Sequence, residues 1–408
     1  MALTPGQINT ETITPAATGV EETGFLVYVP SGAGPFPMLV VFHAFGNTPA
    51  SLQTDTSYFA EGQARDWCVV APLGAYTQNF GAEVPQLNTE AVIDYVLAGV
   101  NIDKTKVYGV GFSMGGGWCM SYAARHLDPA HVVFAAVCDH TGGVSVDYVH
   151  AAAVDYEAAD PLESRKTLEN ALLYTGPPWA VPEKYRSGSV ISIDPVTLAV
   201  DPETDMARNL KDTGLILTVA TSDPLTDLVY QTTTLKDWLE NTVGATVTYL
   251  EVAGAVHAWS TVDEDWVCDQ LELHTLSTPT SGEFRLLADR DGVWLHFTIT
   301  QRTAGASTPF TATVTPTGNQ VDIEDFDNLS VIKVDTSTTV LNPASALTVR
   351  IYPDEALSHE VRLTGYAGSP ASVTRNGGAG TWSYDAGNQE VVLTETGSGA
   401  WATWVVTP

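Results

Sequence analysis

Basic residues are scarce in this chain. Its 408 residues include 18 Lys and Arg against 48 Asp and Glu, a formal charge of −30. A field of that sign repels phosphate backbones and anionic lipid, which argues against nucleic acid or a membrane surface as partner. Long apolar runs are missing as well. None approaches the roughly 20 residues that a membrane-spanning helix needs. The first 20 residues carry no basic-then-apolar secretory pattern. A cytoplasmic chain stays open on that ground, and an extracellular or particle-surface setting is the working expectation.

Cysteine is rare too. Cys68, Cys119, Cys138 and Cys268 lie far apart. Cys68 and Cys138 sit in apolar strand-like runs and Cys119 in a helix-like one, so buried free thiols are expected. No Cys/His spacing fits a zinc site. The segment Asp289-Arg290-Asp291-Gly292 and the acidic stretch 322–328 lack the ligand spacing of a calcium loop and read as a turn and a solvated loop. Neither a metal nor an organic cofactor is expected.

What is present points to a globular chain long enough for two domains, 44% hydrophobic and 16% charged. Strand-like runs fall at 25–29, 38–42, 68–72, 106–112, 132–138, 215–220 and 246–251. Helix-like segments fall at 89–98, 114–125, 228–241 and 264–273. Several of the runs are continuously apolar, as parallel strands covered on both faces should be. The alternation predicts an α/β domain over 1–278, with a mostly parallel sheet flanked by helices. The stretch 141–213 breaks the rhythm and is too long for an ordinary loop. It reads as a cap insertion, helical over 158–173. Beyond 279 the composition turns to Thr, Val and Gly, with short strands separated by turns such as Asp291-Gly292 and Asn376-Gly377. Residues 279–408 are expected to form an all-β sandwich, with 294–300 as one alternating strand.

The most specific motif is Gly111-Phe112-Ser113-Met114-Gly115. An apolar run leads into it and a helical pattern follows. That context makes it a nucleophile elbow, a sharp strand-to-helix turn with the serine at its apex. A serine hydroxyl is a poor nucleophile at neutral pH, so it needs a base and a group that orients the base. His257 lies in a small-residue loop between the last strand and the last helix and is the candidate base. Asp223, just past the 215–220 run, is the candidate acid. Asp227 and Asp139 are its rivals, the first also suited to capping the following helix. Donors for an oxyanion are expected from the backbone N–H of Met114 and of Phe45, with Ala44 as the alternative to Phe45. His43 reads as structural. Trp259, Trp179 and Tyr76, with Tyr174 and Phe80, are candidates for lining an aromatic acyl or sugar cleft, and Trp118 for the same cleft or the core. In the β-domain, Trp294, Trp382, Trp401 and Trp404 suit a core or a glycan-stacking face.

Together, Val40-Val41-Phe42-His43-Ala44-Phe45-Gly46, the elbow, Ser222-Asp223-Pro224 and the run from Tyr249 to His257 resemble the α/β-hydrolase superfamily. Within it they are similar to the polyhydroxybutyrate-depolymerase, feruloyl-esterase and polyester-hydrolase branch. Ala44 stands where that pattern usually has glycine. The resemblance covers residues 20–275 and implies a serine carboxylic-ester hydrolase working through an acyl-enzyme on a polymeric or glycan-linked ester. The same triad would serve a serine peptidase of prolyl-oligopeptidase type, although no N-terminal propeller precedes it. A hydrolase-like structural or adhesive protein of a cell or virion surface is the third reading. The ester substrate is then the partner, and the β-domain would supply a glycan or self-assembly contact.

Overall fold

The computed structural model describes residues 3–155, 169, 173–324, 326–352, 357–397 and 399–408. The expected cap helix at 158–173 lies almost wholly outside them. The chain divides into two compact units, Met1–His126 with Ala130–Ser277, and Leu127–Pro129 with Thr278–Pro408.

The first unit is built on eight strands: β1 (Gln7–Ile13), β2 (Glu22–Val29), β3 (Phe36–Phe42), β4 (Cys68–Ala71), β5 (Ile102–Phe112), β6 (Ala136–His140), β7 (Gly214–Ala220) and β8 (Val247–Val252). Their order in the sheet is β1-β2-β4-β3-β5-β6-β7-β8. The pairs β1/β2 and β2/β4 are antiparallel, and every pair from β4/β3 to β7/β8 is parallel. β4 and β7 are buried along their whole length, as continuously apolar runs require. β1 alternates exposed and half-buried residues at the sheet edge. Its polar sequence, QINTETI, gives no apolar run, so periodicity misses it.

Helices α1 (Pro49–Asp55), α2 (Tyr58–Ala64), α3 (Glu83–Gly99), α4 (Met114–Arg125), α5 (Val146–Asp155), α6 (Pro182–Gly188), α7 (Thr226–Trp238) and α8 (Glu264–Glu272) complete the unit among the described residues. α4 follows β5 directly, and all twelve of its residues are buried. Such burial demands small residues where helix and sheet cross. A Cβ on Gly115 would stand 2.2 Å from Phe42 O, and one on Gly111 would stand 2.0 Å from Gly115 O. α1 and α2 escape the sequence reading because each is only seven residues long. The 132–138 run is buried, but its strand is Ala136–His140.

All four cysteines are free and buried. Burial pushes the Cys68 thiol up to about 12 and the thiols of Cys119 and Cys138 well above their ordinary value. None is poised as a nucleophile.

The second unit holds two six-stranded sheets among its described residues. They include β9 (Gly282–Ala288), β10 (Gly292–Trp294), β11 (Phe297–Gln301) and β12 (Thr308–Thr315). β11 lies in one sheet, and β9 and β12 in the other. Phe297 of β11 packs edge-on against Phe284 of β9 at 5.4 Å and Phe310 of β12 at 5.6 Å, so the sheets face each other as a sandwich. Trp294 and Trp404 are buried in that core. Trp401 is half-buried under the Arg350 guanidinium, 4.3 Å from its ring centroid.

The expected single strand at 294–300 is instead the end of β10, a two-residue turn and most of β11. Trp294 pairs with Phe297 across Leu295 and His296. Leu295 takes a left-handed φ of 56°. His296 holds the turn, its ring nitrogens reaching Pro279 O at 2.7 Å and Thr338 Oγ1 at 2.9 Å. Alternation over seven residues fits one strand or two, and the long-range grip on His296 selects two.

The crossing of α4 over the sheet is testable by a pair of glycine variants. Gly115→Ala should destabilise the protein by about 3 kcal/mol or more in urea unfolding, because the Cβ meets backbone. Gly99→Ala, whose Cβ would meet only Leu3 Cδ1 at 3.8 Å, should be neutral or stabilise by about 0.5 kcal/mol. Equal responses would contradict the packing described.

Candidate active site

The site residues stand at the carboxyl ends of the parallel strands, where open α/β sheets bind ligands. Ser113 is the residue between β5 and α4, with φ 58° and ψ −121°. A non-glycine residue there is strained, and such strain belongs to functional turns. The surroundings over-determine it. Ser113 N donates to His140 O at 3.0 Å, and Ser113 O accepts from Gly116 N at 3.1 Å and Gly143 N at 3.3 Å. Ser113 keeps 9% of its surface exposed.

Asp223 and His257 meet because the loops after β7 and β8 are laced together. Thr221 N donates to Val252 O at 3.1 Å and Ser222 N to Ala255 O at 3.0 Å. Gly254 N donates to Thr221 Oγ1 at 2.8 Å. His257 Nδ1 then donates to Asp223 Oδ2 at 2.7 Å. The other carboxylate oxygen accepts from Leu225 N at 2.8 Å, at the start of α7. The Asp223 side chain has no exposed surface, and that of His257 keeps 16%. An imidazole donating from Nδ1 presents its Nε2 lone pair, which is the form a general base requires.

Phe112 joins this pair to the elbow. Its ring lies 4.4 Å from the His257 ring, and Ser113 is the next residue. Ser113 Oγ is not hydrogen-bonded to the imidazole here. Such bonds are often long in ligand-free sites and tighten when substrate binds. Below Phe112 the rings of His140, at 4.8 Å, and Trp259, at 5.2 Å, form a floor. Burial, then the neighbouring His257, holds the His140 pKa down to about 3, so this second histidine stays neutral.

Two backbone N–H groups are the candidate oxyanion donors. Among the described residues, neither Met114 N nor Phe45 N donates a hydrogen bond within the chain. Their loop is braced from beneath. His43 is fully buried, and its ring nitrogens reach Ala44 O at 2.9 Å and Leu73 O at 3.0 Å. Leu73 belongs to a loop held by a residue that sequence reasoning missed. The carboxylate of Glu22, fully buried at the start of β2, accepts from Leu73 N at 2.6 Å, Gly74 N at 2.9 Å and Ala75 N at 2.6 Å. Asn88 Nδ2 donates to it at 3.1 Å. In sequence Glu22 is one of two acids before an apolar run, and nothing there separates a buried carboxylate from a solvated one.

The rival acids lie elsewhere. Asp227 stands in the first turn of α7, where a carboxylate suits the helix dipole. Asp139, fully buried at the end of β6, accepts from Thr232 Oγ1 at 3.1 Å while its Oδ1 has no partner among the described residues. Of the three carboxylates, Asp223 is the one that His257 bonds. The aromatic candidates divide as well. Trp118 is fully buried against Phe42, with ring centroids 4.8 Å apart. Trp259 is buried in the core against Tyr58, at 5.8 Å, and Phe112, so it supports the floor and offers little open face. Tyr174 is buried too, stacked on Tyr185 at 4.5 Å, with its hydroxyl donating to Phe80 O at 2.8 Å. Tyr76 is half-buried in the loop that Glu22 holds, and Trp179 is 76% exposed.

Burial raises the Asp139 pKa from 3.8 to about 7, against the pull of the Thr232 hydroxyl and the nearby Gly142 N–H. An acid whose pKa rises on folding binds protons more tightly in the native state. The stabilisation is present below the unfolded value and is lost as pH climbs through the folded one. Asp139→Asn should therefore flatten the fall in urea midpoint between about pH 4 and pH 7, measured against the wild type. An unchanged slope would contradict the assignment.

No family model matches the chain, and no curated protein does. Among solved structures it is similar to an S-formylglutathione hydrolase from Agrobacterium tumefaciens, with 15% identity, 65% of this chain and 94% of that one covered, and a TM-score of 0.47. A fluorophosphonate-binding serine hydrolase, FphF of Staphylococcus aureus, matches at 15% identity over 66% and 98%, with a TM-score of 0.47. A ferulic acid esterase matches at 15% identity over 65% and 95%, with a TM-score of 0.42. Likenesses this distant set no activity. The strand order and the strand–turn–helix around Ser113 do decide the fold: the first unit has the α/β-hydrolase fold.

Proposed function

We propose that the chain is a serine carboxylic-ester hydrolase. The observation that carries this reading is the 2.7 Å bond from His257 Nδ1 to Asp223 Oδ2, held over Phe112 beside the strained Ser113. His257 takes the proton of Ser113 Oγ as that oxygen bonds to the ester carbonyl carbon. The carbonyl oxygen becomes the oxyanion and accepts from the free N–H groups of Met114 and Phe45. His257 then gives its proton to the departing alcohol oxygen, the C–O bond breaks and an acyl-enzyme remains. A water repeats the attack with His257 as base, releasing the acid and restoring Ser113. Asp223 stays ionised and stabilises the imidazolium at each stage.

Oxyanion stabilisation needs donors that do not move when charge develops. Glu22, through three backbone N–H groups, and His43, through two carbonyls, supply that stiffness. The ordinary chemistry of the triad is independent of metals and organic cofactors, and no step above calls on one.

The test uses p-nitrophenyl acetate, butyrate and octanoate, whose chain-length profile also sizes the acyl pocket. Wild type should turn over at least one of them. Ser113→Ala should lower kcat/KM by at least about 10³-fold, and Asp223→Asn by about 10⁴-fold. Loss in Asp227→Asn with none in Asp223→Asn would move the acid, and no turnover of any ester would overturn the proposal. Glu22→Gln should lower kcat about tenfold or more with a smaller effect on KM, because it disturbs groups that act on the transition state.

A further inference from the structure

Two adjoining cavities run over α5, of about 520 Å³ and 450 Å³. Ala151 and Pro195 line both, so they form one groove. Its near end is lined by Pro224, the residue after Asp223, and by Tyr148 and Tyr230, whose rings lie 5.6 Å apart. Its far end is lined by Trp179, which is 76% exposed although its ring meets the buried His150 edge-on at 5.7 Å. One groove wall continues into a turn that presents Val196, 88% exposed, and Leu198, 46% exposed. That turn is built, not slack. Asp194 Oδ1 accepts from Val196 N at 2.8 Å and Thr197 N at 2.6 Å, and Leu198 is held at a left-handed φ of 61°.

The polar groups of the groove choose its ligand. Asp147, Asp194 and Asp201 supply acceptors, while its cation, Arg186, is engaged by Glu183 at 3.1 Å and Asp201 at 3.9 Å. Ser192 lines the cavity, is 93% buried and, among the described residues, leaves its Oγ without a partner, and Asp147 Oδ1 is buried without one as well. Buried polar atoms left open ask for a ligand that can bond them. Excess carboxylate repels an anion. A polyester offers acceptors and no donors, so it would strip water from these carboxylates without repaying them. A sugar ring brings an apolar face for Trp179 and Val196 and hydroxyl donors for the carboxylates and Ser192.

We propose that this groove binds a neutral carbohydrate chain, stacked on Trp179 and hydrogen-bonded through its hydroxyls to Asp147, Asp194 and Ser192, so that the ester cut at Ser113 is one borne on a glycan. The second half of the proposal rests on the esterase reading above; the binding itself does not.

The test is calorimetric titration of the full-length Ser113→Ala protein, which binds without turnover. The probes are cellohexaose, xylohexaose, mannohexaose and chitohexaose, with spermidine as a cationic probe. At least one neutral hexamer should bind, and adding Trp179→Ala or Tyr148→Ala should weaken it about tenfold. Trp179 is mostly exposed, so an unchanged thermal midpoint will show that the fold survives its removal. Binding by none of the four, binding untouched by either substitution, or binding of spermidine in their place overturns the proposal. Turnover of p-nitrophenyl acetate by the wild type separates the two readings. Turnover with no glycan bound sinks the groove alone, and glycan bound without turnover supports the groove and sinks the esterase.

Discussion

The whole site hangs on one backbone conformation, the left-handed Ser113 at the junction of β5 and α4. A serine pays strain energy, of order 1–3 kcal/mol, to stand there. In a nucleophile elbow such a turn lifts the hydroxyl clear of the sheet. The conformation survives because helix and sheet cannot separate around it. Gly111 and Gly115 let backbone touch backbone, and Ser113's own N–H and carbonyl are bonded to the last residue of β6 and to the loop after it. Replace either glycine with a side chain and the turn has nowhere to go.

Around that fixed point the remaining groups are delivered by loops tied to one another. The loops after β7 and β8 share three hydrogen bonds, and the Asp223–His257 pair is the consequence. The loop after β3 is held through His43 to the loop after β4, which Glu22 clamps in turn. Each candidate catalytic group therefore sits on a rigid neighbour, which suits the proposed mechanism and its reliance on preorganised dipoles. Asp139 shows the cost of such packing: a carboxyl buried beneath the elbow, its Oδ1 unpartnered among the described residues and its pKa pushed up to about 7.

Much of this was legible in the residues. Apolar runs gave the parallel strands because β4 and β7 are covered on both faces. Gly-x-Ser-x-Gly gave the elbow because the chemistry of the turn dictates its small residues. β1 was illegible because an exposed edge strand needs no apolar pattern. Glu22 was illegible because burial of a charge is decided by a loop some fifty residues away in sequence. The Trp294–Phe297 hairpin was misread because alternation does not register a reversal, and the grip on His296 comes from Pro279 and Thr338. Trp259 stands two residues from His257, which suggests a lining role, yet it packs against Phe112 in the core.

The central claim is that Ser113 is a nucleophile activated by His257. The most direct measurement is intact-protein mass spectrometry after treatment with an alkyl fluorophosphonate, followed by peptide mapping. Attack by Ser113 Oγ forms a P–O bond and expels fluoride, leaving a stable adduct. The account predicts one adduct, on Ser113, formed rapidly in the wild type and slowly in His257→Ala. No adduct, or an adduct on a different residue, would contradict it.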